Sequence, residues 1–328
     1  SMKLVTGAGG FIGSYLAASL EAAGSTLAIC DRLDKPDKMK NLAKRTLAHK
    51  IAPEDLLAFL QDHAGDIESI FHMGAISSTT EMNVALITEM NVTLPIKIWD
   101  WCRDNQVPLI YASSAATYGD GALGFDDDDS VEALQKLQPL NPYGRSKNEF
   151  DIWVAEQIAA DADSPPHWAG LKFFNVYGPN EYHKGGQMSV VPQVFKQISE
   201  TGRARLFQSH HPDYEDGGQL RDFVWVGDCV DVMLWLEAQP EVSGIFNCGT
   251  GQARSFRDLA TAVFTALGKA VAIEYIPTPE NIRDKYQYFT EANMSKLKAA
   301  GYERPATTLE EGVGRYVTDY LMAEDGYI

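Results

Sequence analysis

The stretch Tyr143-Gly144-Arg145-Ser146-Lys147 sets a phenol and an ammonium four residues apart. Asn141-Pro142 just before it reads as a helix start, with the proline supplying the fixed φ of a first turn, so the two side chains share one helical face. A phenol titrates near pH 10 in water, and a fixed cation beside it favours the phenolate and draws that value toward neutrality. Such a pair suits the removal of a proton from an alcohol during oxidation, or its return during reduction. A hydroxyl to share the reacting oxygen comes from Ser114 or Thr117, in Ser113-Ser114-Ala115-Ala116-Thr117-Tyr118-Gly119, delivered by an apolar strand over 107–112. Because Y-x-x-x-K recurs by accident, its meaning depends on the surrounding elements.

Those elements begin with an apolar strand over 3–6, the turn Gly7-Ala8-Gly9-Gly10-Phe11-Ile12-Gly13, and a helical pattern over 14–23. Glycines at 7, 10 and 13 permit a tight turn, a close backbone approach to a pyrophosphate, and tight helix packing, while the helix start offers N–H donors. A second strand, 26–30, ends at Asp31, near the offset of roughly 20 residues at which an acid meets an adenosine ribose. Arg32, Lys35, Lys38 and Lys40 follow closely and could neutralise a 2′-phosphate, so the residues leave NAD and NADP both open. After a helix over 54–61, a strand over 68–75 stops in the small residues of Met73-Gly74-Ala75, its end facing the cofactor. His72 on this strand has no second metal-type residue at a useful spacing and is assigned a structural role. Ser77-Ser78-Thr79-Thr80-Glu81 reads as a polar turn and helix start, and Asn91 falls on the polar face of the long helix that follows.

With 328 residues, of which 45% are hydrophobic, the chain can bury a large core, and its net charge of −17 excludes a nucleic-acid partner, which needs a basic face. The four cysteines, Cys30, Cys102, Cys229 and Cys248, are widely spaced in apolar segments, which fits a reducing compartment. No apolar run reaches the roughly 20 residues of a membrane span and no signal pattern opens the chain, so the expectation is a cytoplasmic protein without a membrane partner. Asp126-Asp127-Asp128-Asp129 is expected to be a solvated loop, since four adjacent acids do not arrange an octahedral metal site. No metal is expected anywhere.

Gly7 to Gly13, Asp31, Ser114, and Tyr143 with Lys147, in this order over nearly half the chain, resemble the extended short-chain dehydrogenase/reductase superfamily. Within it, Ser77 to Glu81, Tyr111 to Gly119, Phe174-Asn175-Val176-Tyr177-Gly178-Pro179 and His183-Lys184-Gly185 look like the ADP-glycero-manno-heptose 6-epimerases, an isomerase group. The resemblance implies an α/β fold, a Rossmann-type doubly wound parallel sheet over 2–170 with a smaller α/β substrate-binding domain over 171–328, some of whose segments return to the first. It implies inversion at C6 of an ADP-bound heptose for the lipopolysaccharide inner core, with a retained nicotinamide cofactor, NADP with NAD as the alternative. It further implies a homo-oligomer, a pentamer. Carried over residue by residue, the catalytic groups are Tyr143, Lys147, Ser114 and Lys184. Cofactor contacts are Gly7, Gly10, Phe11, Ile12, Gly13, Asp31, Arg32, Lys38, Met73, Gly74, Ala75, Ile76, Ser77, Asn91, Tyr143, Lys147, Val176 and Lys184. Substrate contacts are Ser77, Ser114, Asn175, Lys184, Gly186, Gln193, Phe207, Ser209, Arg221 and Tyr286.

Lys184 lies in Pro179-Asn180-Glu181-Tyr182-His183-Lys184-Gly185-Gly186, which reads as a polar loop free of helical constraint. Stereochemistry explains why a second proton-transfer group is needed. Hydride returns from one side only, so inversion requires the ketone to turn its other face, and its oxygen then meets a different donor. Arg221 suits bidentate binding of a diphosphate. Gly186 and Gln193 stand where the family usually has Ser and His, and the segment Ser209 to Gln219 carries an insertion, expected as a polar loop over the pocket. A dehydratase would want an acid after the hydroxyl strand, where Ala115-Ala116-Thr117 has none. Another nucleotide-sugar epimerase and a non-catalytic protein that senses the cofactor also fit the glycine turn, and the presence of Ser114, Tyr143, Lys147 and Lys184 argues against the second.

Overall fold

The computed structural model describes residues 1–77 and 81–328. Its first half contributes β1 (Met2–Thr6), β2 (Leu27–Cys30), β3 (His49–Ile51), β4 (Ile67–His72), β5 (Leu109–Ser114), β6 (Trp168–Phe173) and β7 (Asn175–Tyr177). The second contributes β8 (Ala204–Phe207), β9 (Leu220–Arg221), β10 (Phe223–Trp225), β11 (Gly244–Cys248), β12 (Arg254–Ser255) and β13 (Ile273–Ile276). Seven of them form one sheet in the order β11-β6-β5-β4-β1-β2-β3, with every pair parallel. Strand order reverses between β1 and β4, and such a switch point opens a crevice at the strands' C-terminal ends. The expected doubly wound sheet is therefore present, and β11, from the second half, returns to complete it.

Along these strands successive side chains enter different layers. Leu4, Ala28 and Ile70 pack in one apolar cluster and Val5, Ile29 and Phe71 in the other. Both faces are buried, which is why the strands read as unbroken apolar runs. One cluster continues from β1 through Trp225 and Phe246 to Phe264, Val313 and Tyr316, so helices of the second half share the sheet's core. The remaining strands form three pairs, β7 with β10, β8 with β13, and β9 with β12.

The helix Pro142–Ala159 begins as its sequence dictates. Asn141 Oδ1 accepts from Gly144 N at 2.7 Å, and Pro142 fills the first turn, where no N–H is required. Asp161, at φ +53°, turns the chain out of the helix. The long helix expected around Asn91 is instead two helices, Val84–Thr88 and Leu94–Asn105, joined by a π turn over Glu89–Thr93. Pro95 has no N–H for the carbonyl of Asn91, which accounts for the widened turn. Ser78, Thr79 and Thr80 of the expected helix start lie outside the described residues, and the helix proper opens only after Asn83, which caps it.

The acidic run at 126–129 is only in part the solvated loop expected of it, with Asp126 and Asp128 exposed and the other two turned inward. Asp127 is buried and its Oδ2 accepts from Asn247 N at 2.8 Å, while Asp129 Oδ2 accepts from Ile245 N at 3.0 Å and Lys296 Nζ at 2.9 Å. Asp126 accepts from Asn293. Alternate carboxylates thus occupy alternate N–H groups of the outermost strand, β11.

Candidate active site

A cleft of about 820 Å³ lies where β1 and β4 end, lined by Gly7, Gly10, Phe11, Ile12, Gly13, Asp31, Lys38, Met73, Gly74, Ala75, Ser77, Ser114, Tyr143, Lys147, Asn175, Val176, Lys184 and Gly186 among others. Its size suits a small ligand. At one end stands the glycine turn. Gly7 has φ +64°, and a Cβ there would sit 2.6 Å from Gly74 Cα, so this glycine lets the turn press against the end of β4. A Cβ on Gly13 would fall 2.2 Å from Gly7 O, which fixes the helix Phe11–Ala22 close beneath the turn. Gly10, the residue before this helix, brings no capping side chain, which leaves the helix start for an anion. A dinucleotide pyrophosphate fits this cradle.

Asp31 Oδ2 accepts from Gly9 N at 2.8 Å and its Oδ1 from Lys38 Nζ at 2.7 Å. An acid and a cation thus stand side by side in the cleft. Arg32 does not join them, since its guanidinium pairs with Glu54 at 3.3 Å on the surface. Asn91 and Ile76 also stand back from the cleft wall. The π turn brings Asn91 inward, where its amide bonds both Ile76 N (2.9 Å) and Ile76 O (3.0 Å) and donates to Ser146 Oγ (3.0 Å), so it holds the loop that carries Ser77.

Across the cleft, Tyr143 and Lys147 meet as expected, with Lys147 Nζ 5.9 Å from the phenol's ring centre and donating to Ala112 O at 2.8 Å. Ser114 hydrogen-bonds the Tyr143 side chain. Thr117 is unavailable for that role, being fully buried and donating to Ser114 O at 2.9 Å. The expected downward pull on the phenol is overturned: burial raises the Tyr143 pKa, and the Ser114 hydrogen bond only partly opposes it. The same burial draws the Lys147 ammonium down to about 8.

The sequence reading overlooked what stands behind this pair. Asp151, one further turn along the helix, is wholly buried and accepts from Ser113 Oγ at 2.6 Å and Tyr111 OH at 3.2 Å. Its charge favours the ammonium forms of Lys147 and Lys172. The Lys172 ammonium is buried without a hydrogen bond and stands 4.3 Å over the Tyr118 ring. The signal for Asp151 was available, because Tyr143, Lys147 and Asp151 repeat at one-turn spacing.

Lys184 reaches the cleft from a 3-10 turn over Tyr182–Gln187, not from an unconstrained loop. Glu181 anchors that turn. Buried, it accepts from Ser189 N at 2.5 Å, Ser189 Oγ at 2.7 Å, Tyr316 OH at 2.8 Å and Gly178 N at 3.2 Å. Lys184 Nζ lies 5.5 Å from the Phe11 ring centre, and burial lowers its pKa against the opposing charge of Glu181. Neighbouring His183 is held neutral at pH 7, its pKa drawn down to about 4 by burial and by the charges of Lys184 and Lys38.

Of the expected substrate contacts, Ser77, Ser114, Asn175, Lys184 and Gly186 line the cleft, whereas Gln193, Phe207, Ser209, Arg221 and Tyr286 do not. Gln193 folds back to donate to Met188 O at 2.8 Å, and Ser209 Oγ donates to His211 O at 2.9 Å. Arg221 is nearly buried, its guanidinium 5.3 Å from the Phe256 ring centre and 5.2 Å from that of Tyr286, whose other edge meets Phe207. The insertion does not cover the cleft. His211 and Tyr214 pack at a tilt against Tyr288, and Arg257 donates to Asp216 O at 2.6 Å, so the loop closes on its own aromatic cluster.

Sequence and fold comparisons place the chain among known proteins. Residues 3–249 match the family described as NAD dependent epimerase/dehydratase. The ADP-L-glycero-D-manno-heptose-6-epimerase of Nitratidesulfovibrio vulgaris is 46% identical over 330 aligned positions covering 100% of both chains. Helicobacter pylori ADP-L-glycero-D-manno-heptose-6-epimerase, known from a crystal structure, superposes with TM-score 0.78 at 26% identity over 97% of this chain and 95% of that one. UDP-glucose 4-epimerase from Thermus thermophilus, solved with NAD, superposes with TM-score 0.69 at 25% identity over 96% of this chain and 97% of its own. Since the matched stretch covers well over half of the chain and includes the glycine turn, the Tyr143 helix and the Lys184 turn, the chain belongs to the NAD-dependent epimerase/dehydratase family.

Proposed function

We propose that this protein inverts C6 of ADP-glycero-manno-heptose through a transient 6-keto sugar, a step toward the lipopolysaccharide inner core. It is an isomerase that works with a nicotinamide cofactor, which when bound takes up hydride and gives it back. NADP is the proposed form, supported by Lys38 beside Asp31 in the cleft, and NAD is the alternative.

The observation that carries the reading is that two proton-transfer groups from distant parts of the chain, Tyr143 and Lys184, line one cleft with the glycine turn. Tyr143 takes the hydroxyl proton of one epimer, with Ser114 bonded to its oxygen and the Lys147 ammonium stabilising the phenolate. Lys184 serves the oxygen of the other epimer, and its lowered pKa brings it toward the range where giving and taking a proton are both feasible. Lysine on a turn anchored by Glu181 is held in place rather than left to sample solvent. Asn175 and Gly186 bound the sugar's space, and Arg221, itself outside the cleft lining and held against the rings of Phe256 and Tyr286, is the group proposed to receive the diphosphate.

The test is incubation with ADP-D-glycero-D-manno-heptose, following C6 configuration by NMR, with nucleotide extraction from the purified protein to identify NADP or NAD. Equilibration of the two C6 epimers is expected. No conversion of this sugar alongside conversion of another nucleotide sugar would reassign the substrate, a reading to which Gln193 contributes because it is turned away from the cleft. The protein is further proposed to act in the cytoplasm as a homo-oligomer, a pentamer, which sedimentation measures directly; no described helix is long and apolar enough to cross a membrane.

A further inference from the structure

The turn carrying Lys184 is tied to the glycine turn by two asparagines that the mechanism above does not use. Asn41 is almost wholly buried, and its Nδ2 lies 2.9 Å from Gly9 O, 3.1 Å from Asn180 O and 3.2 Å from His183 Nδ1. Two carbonyls at these distances require a donor, so the amide can stand only one way round. Its Oδ1 is left buried with no partner, a desolvation cost that the structure bears to keep the NH2 in place. Asn180 supplies a second tie. It is fully buried at φ +75°, a backbone state uncommon outside glycine, and its Nδ2 donates to Ser14 Oγ at 3.0 Å on the helix that follows the glycine turn.

These bonds close a circuit. Gly9 N binds Asp31, Asp31 binds Lys38, Lys38 lies on the short helix that ends just before Asn41, and Asn41 returns to Gly9 O. A nucleotide that seats on Asp31, Lys38 and the glycine turn therefore acts on Asn41 from both sides. From Asn41 the connection runs to the Asn180 carbonyl, just before the Lys184 turn, and to the ring of His183 within it.

We infer that Asn41 and Asn180 are positioning residues that couple cofactor seating to the placement of Lys184, so that the second proton-transfer group is ordered when the dinucleotide is held. The kinetic part rests on the reading of Lys184 given above; the coupling itself does not. Such a link makes the turn hard to move while the cofactor is in place, which suits an enzyme that must keep its dinucleotide between two half-reactions.

Amide hydrogen exchange of the full chain, freed of nucleotide and then reloaded with NADP, tests the link. In the wild type, reloading is expected to slow exchange at 7–14 and at 181–187 together. In Asn41→Ala, slowing at 7–14 is expected to persist while that at 181–187 is lost, and kcat for C6 inversion is expected to fall about tenfold or more with a smaller change in KM. Asn180→Gly, which keeps the positive φ and removes the side chain, gives the same split without backbone strain and stands in if Asn41→Ala fails to fold. Equal slowing at 181–187 in wild type and in a folded variant overturns the coupling. If exchange responds as expected but Lys184→Met still inverts C6, the coupling stands and the role of Lys184 falls.

Discussion

Burial and charge act against each other at Tyr143. The wall that raises the phenol's pKa also draws Lys147 down to about 8, so in the proposed mechanism the pair works only while the ammonium keeps its proton. Lys147 is charged below about pH 8 and loses its charge as pH rises through that value. An alkaline limb in kcat/KM near pH 8 is therefore expected, and Lys147→Arg, whose cation persists to far higher pH, should move that limb upward even as activity falls; a limb that stays in place rejects the assignment. Tyr143→Phe should lower turnover by roughly 10² or more and leave cofactor bound, as read by kcat and nucleotide extraction. His72 illustrates the opposite use of a buried titratable group. Bonded to Thr6 Oγ1 at 2.6 Å, it is held neutral with its pKa lowered to about 3, against 6.5 when free. The unfolded chain thus binds the proton first, and stability present above pH 6.5 is lost as pH falls toward 3. From pH 6.5 to 5 this one residue should remove roughly 1.5 kcal/mol, and His72→Gln should flatten that part of a denaturation-versus-pH curve. That Tyr143, Lys147, Ser114 and Asp31 would share one cleft was legible from residue type and position along the chain. The sign of the Tyr143 shift was not, because it depends on how much protein surrounds the phenol.

Among the elements, strands and helices declared themselves through apolar runs and turn residues, and the glycine turn through its place after β1. What escaped the sequence were contacts between segments far apart in the chain. The π turn is one such case, since Pro95 marks an irregularity but only the fold shows Asn91 turned toward Ile76 and Ser146. The acidic run is another, because nothing in four consecutive aspartates indicates that the N–H groups of a strand more than a hundred residues later await them. Asp129→Ala removes the acceptor for Ile245 N and the partner of Lys296, and should lower unfolding free energy by about 1–3 kcal/mol in denaturant titration while leaving cofactor affinity unchanged. A loss of cofactor with unchanged stability would show that the run serves the cleft instead.

At the scale of the whole molecule, the cleft joins groups from both halves, and the shared core that runs from β1 to Tyr316 holds those halves together. Lys184→Met should accordingly block interconversion of the C6 epimers without lowering the melting temperature by more than a few degrees, because its turn is anchored by Glu181 and not by the lysine. Unchanged interconversion would reject a mechanism with two proton-transfer groups. The aspartates along β11 have a consequence for assembly. A bare outer strand invites another copy to add itself and extend the sheet without limit, but here the N–H groups of Ile245 and Asn247 already have partners. Copies of this chain are thereby discouraged from zipping together across that margin.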